Sequence, residues 1–62
     1  MASLNTMVRQ CAGLVDTKDV DHRTNDFLKR VVAQTNGGDN TTSLTERQIS
    51  WLEDIYERHF AG

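Results

Sequence analysis

Cys11, His22 and His59 carry the most versatile chemistry in this chain, and their spacing serves none of it. A zinc site needs several Cys, His or carboxylate ligands at short, regular intervals, and these three residues stand apart. A nucleophile needs a base within reach. Cys11 instead falls among apolar neighbours, where a thiol is inert packing, and no Ser, Thr or Lys has an evident activating partner. The run Gly37-Gly38-Asp39-Asn40 lacks the Lys-Ser/Thr ending of a phosphate cradle. Asp16, Asp19, Asp21 and Asp39 are too irregular for a calcium loop. The expectation is a protein without catalytic, cofactor or metal residues.

Recognition chemistry is better represented. Trp51 is the single Trp and Tyr56 the single Tyr, and large aromatic rings are enriched where one protein grips another. The candidate partner-binding set is Trp51, Ile55, Tyr56 and Phe60 with Glu53 and Glu57, whose carboxylates suit a basic surface. The competing structural roles are an edge of the core for Trp51 and a solvated face for the glutamates. A second set, His22, Arg23, Lys29 and Arg30, is expected on the side of its helix away from the apolar stripe, where it could contact nucleic-acid phosphates. Asp26 interrupts that stripe and the net charge is −2, so nucleic acid is the less favoured partner. His59, near the end of the last helix, suits the negative end of a helix dipole.

Three helical patterns must position these residues. Leu4, Met7, Val8, Cys11, Leu14 and Val15 fall within a stripe roughly 120° wide at about 100° per residue, with Ser3 as a cap. Val20, Thr24, Phe27, Leu28, Val31 and Val32 keep the same period, with a start between Asp19 and Thr24. The third pattern, Leu44 to Phe60, has the most complete start signal. Thr45 and Gln48 are spaced for a reciprocal capping box, and Leu44 and Ile49 for the hydrophobic staple that accompanies it. Its apolar residues cover about half the circumference, wider than the ~100° of a single core contact. Between the second and third patterns lies a polar loop, residues 35–43, in which Asn36 or Gly37 suits the left-handed position that ends a helix. At nine residues it exceeds the three- or four-residue turn of a DNA-reading helix-turn-helix.

These patterns predict one domain over residues 1–62, an all-α, small three-helix bundle with helices over about 3–16, 19–36 and 45–60. The alternative is a two-helix hairpin whose first helix pairs with another chain. Hydrophobic residues make up 37% and charged residues 26%, as in foldable soluble domains. No apolar run approaches the ~18 residues of a membrane span, and the beginning of the chain lacks the pattern of a secretory signal. A lone cysteine provides no internal disulfide, which favours a reducing compartment. The chain is therefore expected to be complete and cytoplasmic. A domain of about 60 residues buries only ~60% of its unfolded surface, and small scaffolds usually need a disulfide, a metal or a partner.

Residues 26–59 resemble a two-helix segment of phage- and mobile-element-encoded proteins, in which a Phe-Leu helix precedes a polar loop and Leu-Ser/Thr-x-x-Gln-x-x-Trp-Leu. The matching positions are Phe27, Leu28, Leu44, Thr45, Gln48, Trp51 and Leu52. The resemblance implies a helical hairpin and a phage or mobile-element context. In those larger proteins the segment accompanies nucleic-acid-processing domains, which this chain does not contain. The functional expectation is a non-enzymatic accessory factor or inhibitor that docks on a larger protein through its third helix. Its rivals are a homo-oligomer zipped through helix one and a weak nucleic-acid binder using the basic stripe.

Overall fold

A computed structural model describes residues 3–61. It contains three α-helices, α1 (Leu4–Ala12), α2 (His22–Gln34) and α3 (Glu46–Tyr56), and a π-helical turn at Glu57–Ala61. The expected all-α three-helix bundle is the fold. Each helix begins where a side chain can satisfy a free amide: the caps are Ser3, Asp21 and Thr45. At α3 the full capping box forms, with the Gln48 amide donating to Thr45 Oγ1 at 3.2 Å and the Thr45 amide donating to Gln48 Oε1 at 2.9 Å.

The boundaries differ from the sequence pattern in three places. Helix one stops at Ala12 instead of continuing to residue 16. Gly13, Leu14 and Val15 close tighter three-residue turns onto Gln10, Cys11 and Ala12, which still delivers Leu14 to the core. The chain then reverses at Asp16, whose φ is 62°. That left-handed residue is fastened to α2: its amide donates to Asn25 Oδ1 at 2.6 Å, and its carboxylate accepts from Asn25 Nδ2 and Lys29. Helix two starts at His22 because Asp21 caps it, accepting from the Thr24 amide at 2.7 Å. It ends at Gln34, two residues earlier than the pattern suggests. Helix three leaves α geometry after Tyr56.

The core consists of Met7, Val8, Cys11 and Leu14 with Phe27, Leu28, Val31, Leu44, Leu52 and Ile55. Helix α1 packs on both α2 and α3, so its apolar stripe is consumed within the protomer. This corrects the hairpin alternative; Leu4 and Val15, at the edges of the stripe, are only partly buried. Each buried aliphatic or aromatic side chain contributes roughly 1.5–3 kcal/mol, a large share of the stability that such a small domain can hold.

The polar loop is as firmly built as the helices. Asn36 takes φ 53°, and the Gly37 amide donates to the Val32 carbonyl at 2.8 Å while the Asn36 amide reaches Ala33 at 3.4 Å. These two bonds are the Schellman closure of a helix end. Thr35 is fully buried. Its hydroxyl donates to the Val31 carbonyl at 2.7 Å and accepts from the Gly38 amide at 3.1 Å. Gly38 is pressed against α1, where Asn5 Nδ2 donates to its carbonyl at 2.6 Å. At φ 99°, a Cβ on Gly38 would lie 3.0 Å from both Arg9 Cγ and the Asn5 carbonyl oxygen.

Two outcomes follow from these contacts. Thr35→Val keeps the shape but leaves the Gly38 amide with only the longer bond to the Thr35 carbonyl, 3.2 Å. It should cost about 1 kcal/mol and lower the melting temperature by about 4–8 °C. Gly38→Ala should destabilise comparably, through positive φ and the α1 contact; thermal melts followed by circular dichroism measure both. Acid should act through Asp21 and Asp16. The Thr24 amide and hydroxyl hold the Asp21 carboxyl below its ordinary value, and Asn25 with Lys29 do the same for Asp16. Stability from a depressed carboxyl is complete above the unfolded value, near 3.9, and is lost as pH falls through the folded value. Helicity should therefore hold from neutral pH to about 4 and decline below it. Asp21→Asn, a cap that cannot be protonated, should make that decline shallower in a pH titration of the melting temperature.

Candidate functional site

The candidate residues on the third helix separate into a buried member and two surfaces. Ile55 is 3% exposed and Leu52 is fully buried, so both point to the centre of the core. This corrects the placement of Ile55 among partner contacts: the half-circumference arc is partly a core contact. Trp51 and Tyr56 flank that centre on opposite edges, and both are half-buried. At about 100° per residue they lie roughly 140° apart around the helix.

On one edge, Trp51 stacks on Phe27 of α2, with ring centroids 4.1 Å apart and planes inclined by 22°. This stacked contact is closer than the roughly 4.5–7 Å usual for aromatic pairs. Gln48 donates to Gln34 Oε1 at 2.9 Å, and Gln34 donates to the Ser43 carbonyl at 3.0 Å. Together they tie α2 to the start of α3 beside the stack. An open hollow of about 370 Å³ lies over the rings, lined by His22, Arg23, Asp26, Phe27, Arg30 and Trp51.

The basic stripe is therefore divided. Arg23 and Arg30 flank Phe27 on its own side of α2 and line the hollow with His22. Lys29 faces elsewhere and pairs with Asp16 at 3.2 Å. The expected location of all four away from the apolar stripe is corrected for the two arginines, which sit at that stripe's edge. His22 is bound to Asp26 at 3.4 Å. Among the described residues, neither Arg23 nor Arg30 has a carboxylate partner. Sequence periodicity could have revealed this grouping, because Arg23, Phe27 and Arg30 follow the spacing of one helix face.

The other edge carries Tyr56 and Phe60, whose ring centroids are 5.5 Å apart with planes inclined by 32°. Phe60 is 44% exposed, the one large hydrophobic side chain among the described residues that reaches so far into solvent. Glu53 and Glu57 are exposed and lie on the same side of the rod at helical spacing. Asp54 points away and pairs with Arg58 at 3.3 Å. His59 is exposed in the π-helical turn. The candidate set from sequence thus resolves into an acidic aromatic patch (Glu53, Tyr56, Glu57, Phe60) and a basic aromatic hollow that includes Trp51.

Cys11 has the environment of packing. It is fully buried, and burial pushes its thiol up to about 11. Among the described residues no group of three or more His, Cys, Asp or Glu is arranged to hold a metal ion, and no described helix is long and apolar enough to cross a membrane. No protein family, curated protein or solved structure matches the chain.

Cys11 offers a direct check on core integrity. With a thiol value of about 11, roughly a thousandth of it is thiolate at pH 8. Alkylation of the folded protein should be far slower than alkylation of the same thiol in denaturant, by a factor of about a hundred or more. Mass spectrometry of timed iodoacetamide reactions reads the ratio; equal rates would place the thiol at the surface.

Proposed function

We propose that this protein is a non-enzymatic helical binding module that docks on a larger protein through the far edge of α3. The observation that carries the reading is Phe60, held against Tyr56 at 5.5 Å yet 44% exposed. Nearly half of the Phe60 surface stays in water, and exposed apolar groups rimmed by polar residues mark interaction sites. Glu53 and Glu57 repel each other mildly at this spacing. A partner whose apolar pocket is rimmed by Lys or Arg would relieve that repulsion and cover the ring. The resemblance to phage- and mobile-element-encoded segments supports a role as an accessory factor or inhibitor acting in the cytoplasm. Nucleic acid is a poorer fit for this patch, whose carboxylates repel phosphates.

Phe60→Asp is the discriminating variant, because Phe60 is exposed and outside the core. The immobilised full chain should enrich one larger protein from the native cell. The variant should lose that capture, with affinity falling by about thirtyfold if Phe60 is worth the ~2 kcal/mol of a hot-spot aromatic. Salt should weaken the wild-type complex by screening the glutamates. Identical capture by wild type and Phe60→Asp, measured by quantitative mass spectrometry, would overturn the reading.

A further inference from the structure

The hollow between α2 and α3 is a second docking surface, opposite in charge to the acidic patch. Arg23 and Arg30 stand two turns apart on α2, about 10.5 Å along its axis, with Phe27 and Trp51 between them as an apolar floor. Both guanidinium groups are exposed and lack a carboxylate partner among the described residues. Asp26 lies on the same rim, 3.4 Å from His22, so two guanidinium groups stand against one carboxylate and the hollow is basic. Arg and Trp are the residues most enriched in energetically important interface positions.

The complement to this surface is carried by the same chain. Glu53 and Glu57, both exposed, lie beside Tyr56 and Phe60 and give those two aromatic groups an anionic flank. The hollow presents two aromatic rings between two cations. The two surfaces lie on opposite edges of α3 and cannot meet within one protomer. We propose that the hollow of one protomer receives the acidic aromatic patch of a second copy, in a head-to-tail contact. Phe60 enters the roughly 370 Å³ space over Phe27 and Trp51, while the carboxylates of Glu53 and Glu57 face the guanidinium rim of Arg23 and Arg30. The proposal rests on the previous reading only in using the same patch. The contact is small, which places it among weak, transient interfaces. Being heterologous, it adds copies in a row unless the rotation closes a ring.

Sedimentation equilibrium of the full chain from roughly 1 µM to 1 mM tests the proposal. The weight-average mass should rise with concentration beyond that of a dimer, and the rise should shrink at high salt. R23E/R30E removes the acceptor and keeps the patch; Phe60→Asp removes the patch and keeps the acceptor. Each alone should remain a monomer with wild-type helicity, and their equimolar mixture should form a one-to-one dimer and stop there. R23Q/R30Q, a milder pair, should weaken association at least tenfold if the charge reversals disturb folding. Trp51 is the single Trp and lies in the acceptor, so its emission should shift on mixing.

Wild type that stays monomeric throughout, a mixture that stays monomeric, or R23E/R30E that associates like wild type would each overturn the proposal. So would Trp51 quenching by oligothymidylate that needs both arginines in a protein that does not self-associate. Capture of a larger partner by R23E/R30E, lost in Phe60→Asp, would preserve the earlier reading whatever the sedimentation result.

Discussion

The hydroxyl of Thr35 is the contact on which the arrangement of the three helices turns. It ties the last carbonyls of α2 to the Gly38 amide, and the carbonyl of that glycine accepts from Asn5 Nδ2 of α1. Around it the Schellman bonds, the Asn40 amide to the Thr35 carbonyl at 3.0 Å, and the Arg9–Asp39 pair at 3.2 Å fix the polar loop to the first helix. The ion pair is exposed and worth little by itself. The buried hydroxyl is different, because an unsatisfied group in that position would carry the full desolvation cost. A loop anchored in this way can direct α3 as firmly as a short turn would.

That anchoring explains why α1 occupies the centre. With the loop pinned to the first turns of α1, α2 and α3 lie on either side of it, and the core grows from Met7, Val8 and Cys11 outward. The Phe27–Trp51 stack and the Gln34–Gln48 bond then join α2 to α3 at the surface. Two partly covered aromatic edges are the geometric consequence. A central helix covers the middle of α3, Leu52 and Ile55, and leaves Trp51 to α2 and Tyr56 to the π-helical turn.

The parts of this fold visible in the sequence are those governed by local rules. Thr45 and Gln48 announce the start of α3 because capping depends on residues three apart, and the apolar stripes announce the helices because burial follows their period. The end of α1 was hidden because Leu14 and Val15 continue the apolar pattern after the backbone has left it. What stops the helix is the left-handed Asp16, held by Asn25 nine residues later, and that contact has no local signature. Thr35 was hidden for a similar reason. A threonine opening a polar loop reads as surface, and only the close approach of α1 makes it interior. The candidate site was legible in composition but not in grouping: Ile55 and Trp51 are neighbours on the wheel, and one is core while the other is rim.

The division of the aromatic residues bears on why such a small chain keeps any ring exposed. Moving Phe60 inward would require the π-helical turn at Glu57–Ala61 to tighten and α1 to extend over it, but α1 ends at Ala12 because the link to α2 departs there. Coverage at that edge is therefore limited by the length of the central helix. The same limit leaves the floor of the hollow open on the opposite edge, where α2 supplies Phe27 but its neighbours at helical spacing are Arg23 and Arg30. The fold thus sets one partly covered aromatic group among carboxylates and another beside guanidinium groups, each charged against non-specific contact. Placing opposite signs on the two edges suppresses contact between like edges through charge repulsion and favours contact with a surface of the opposite sign.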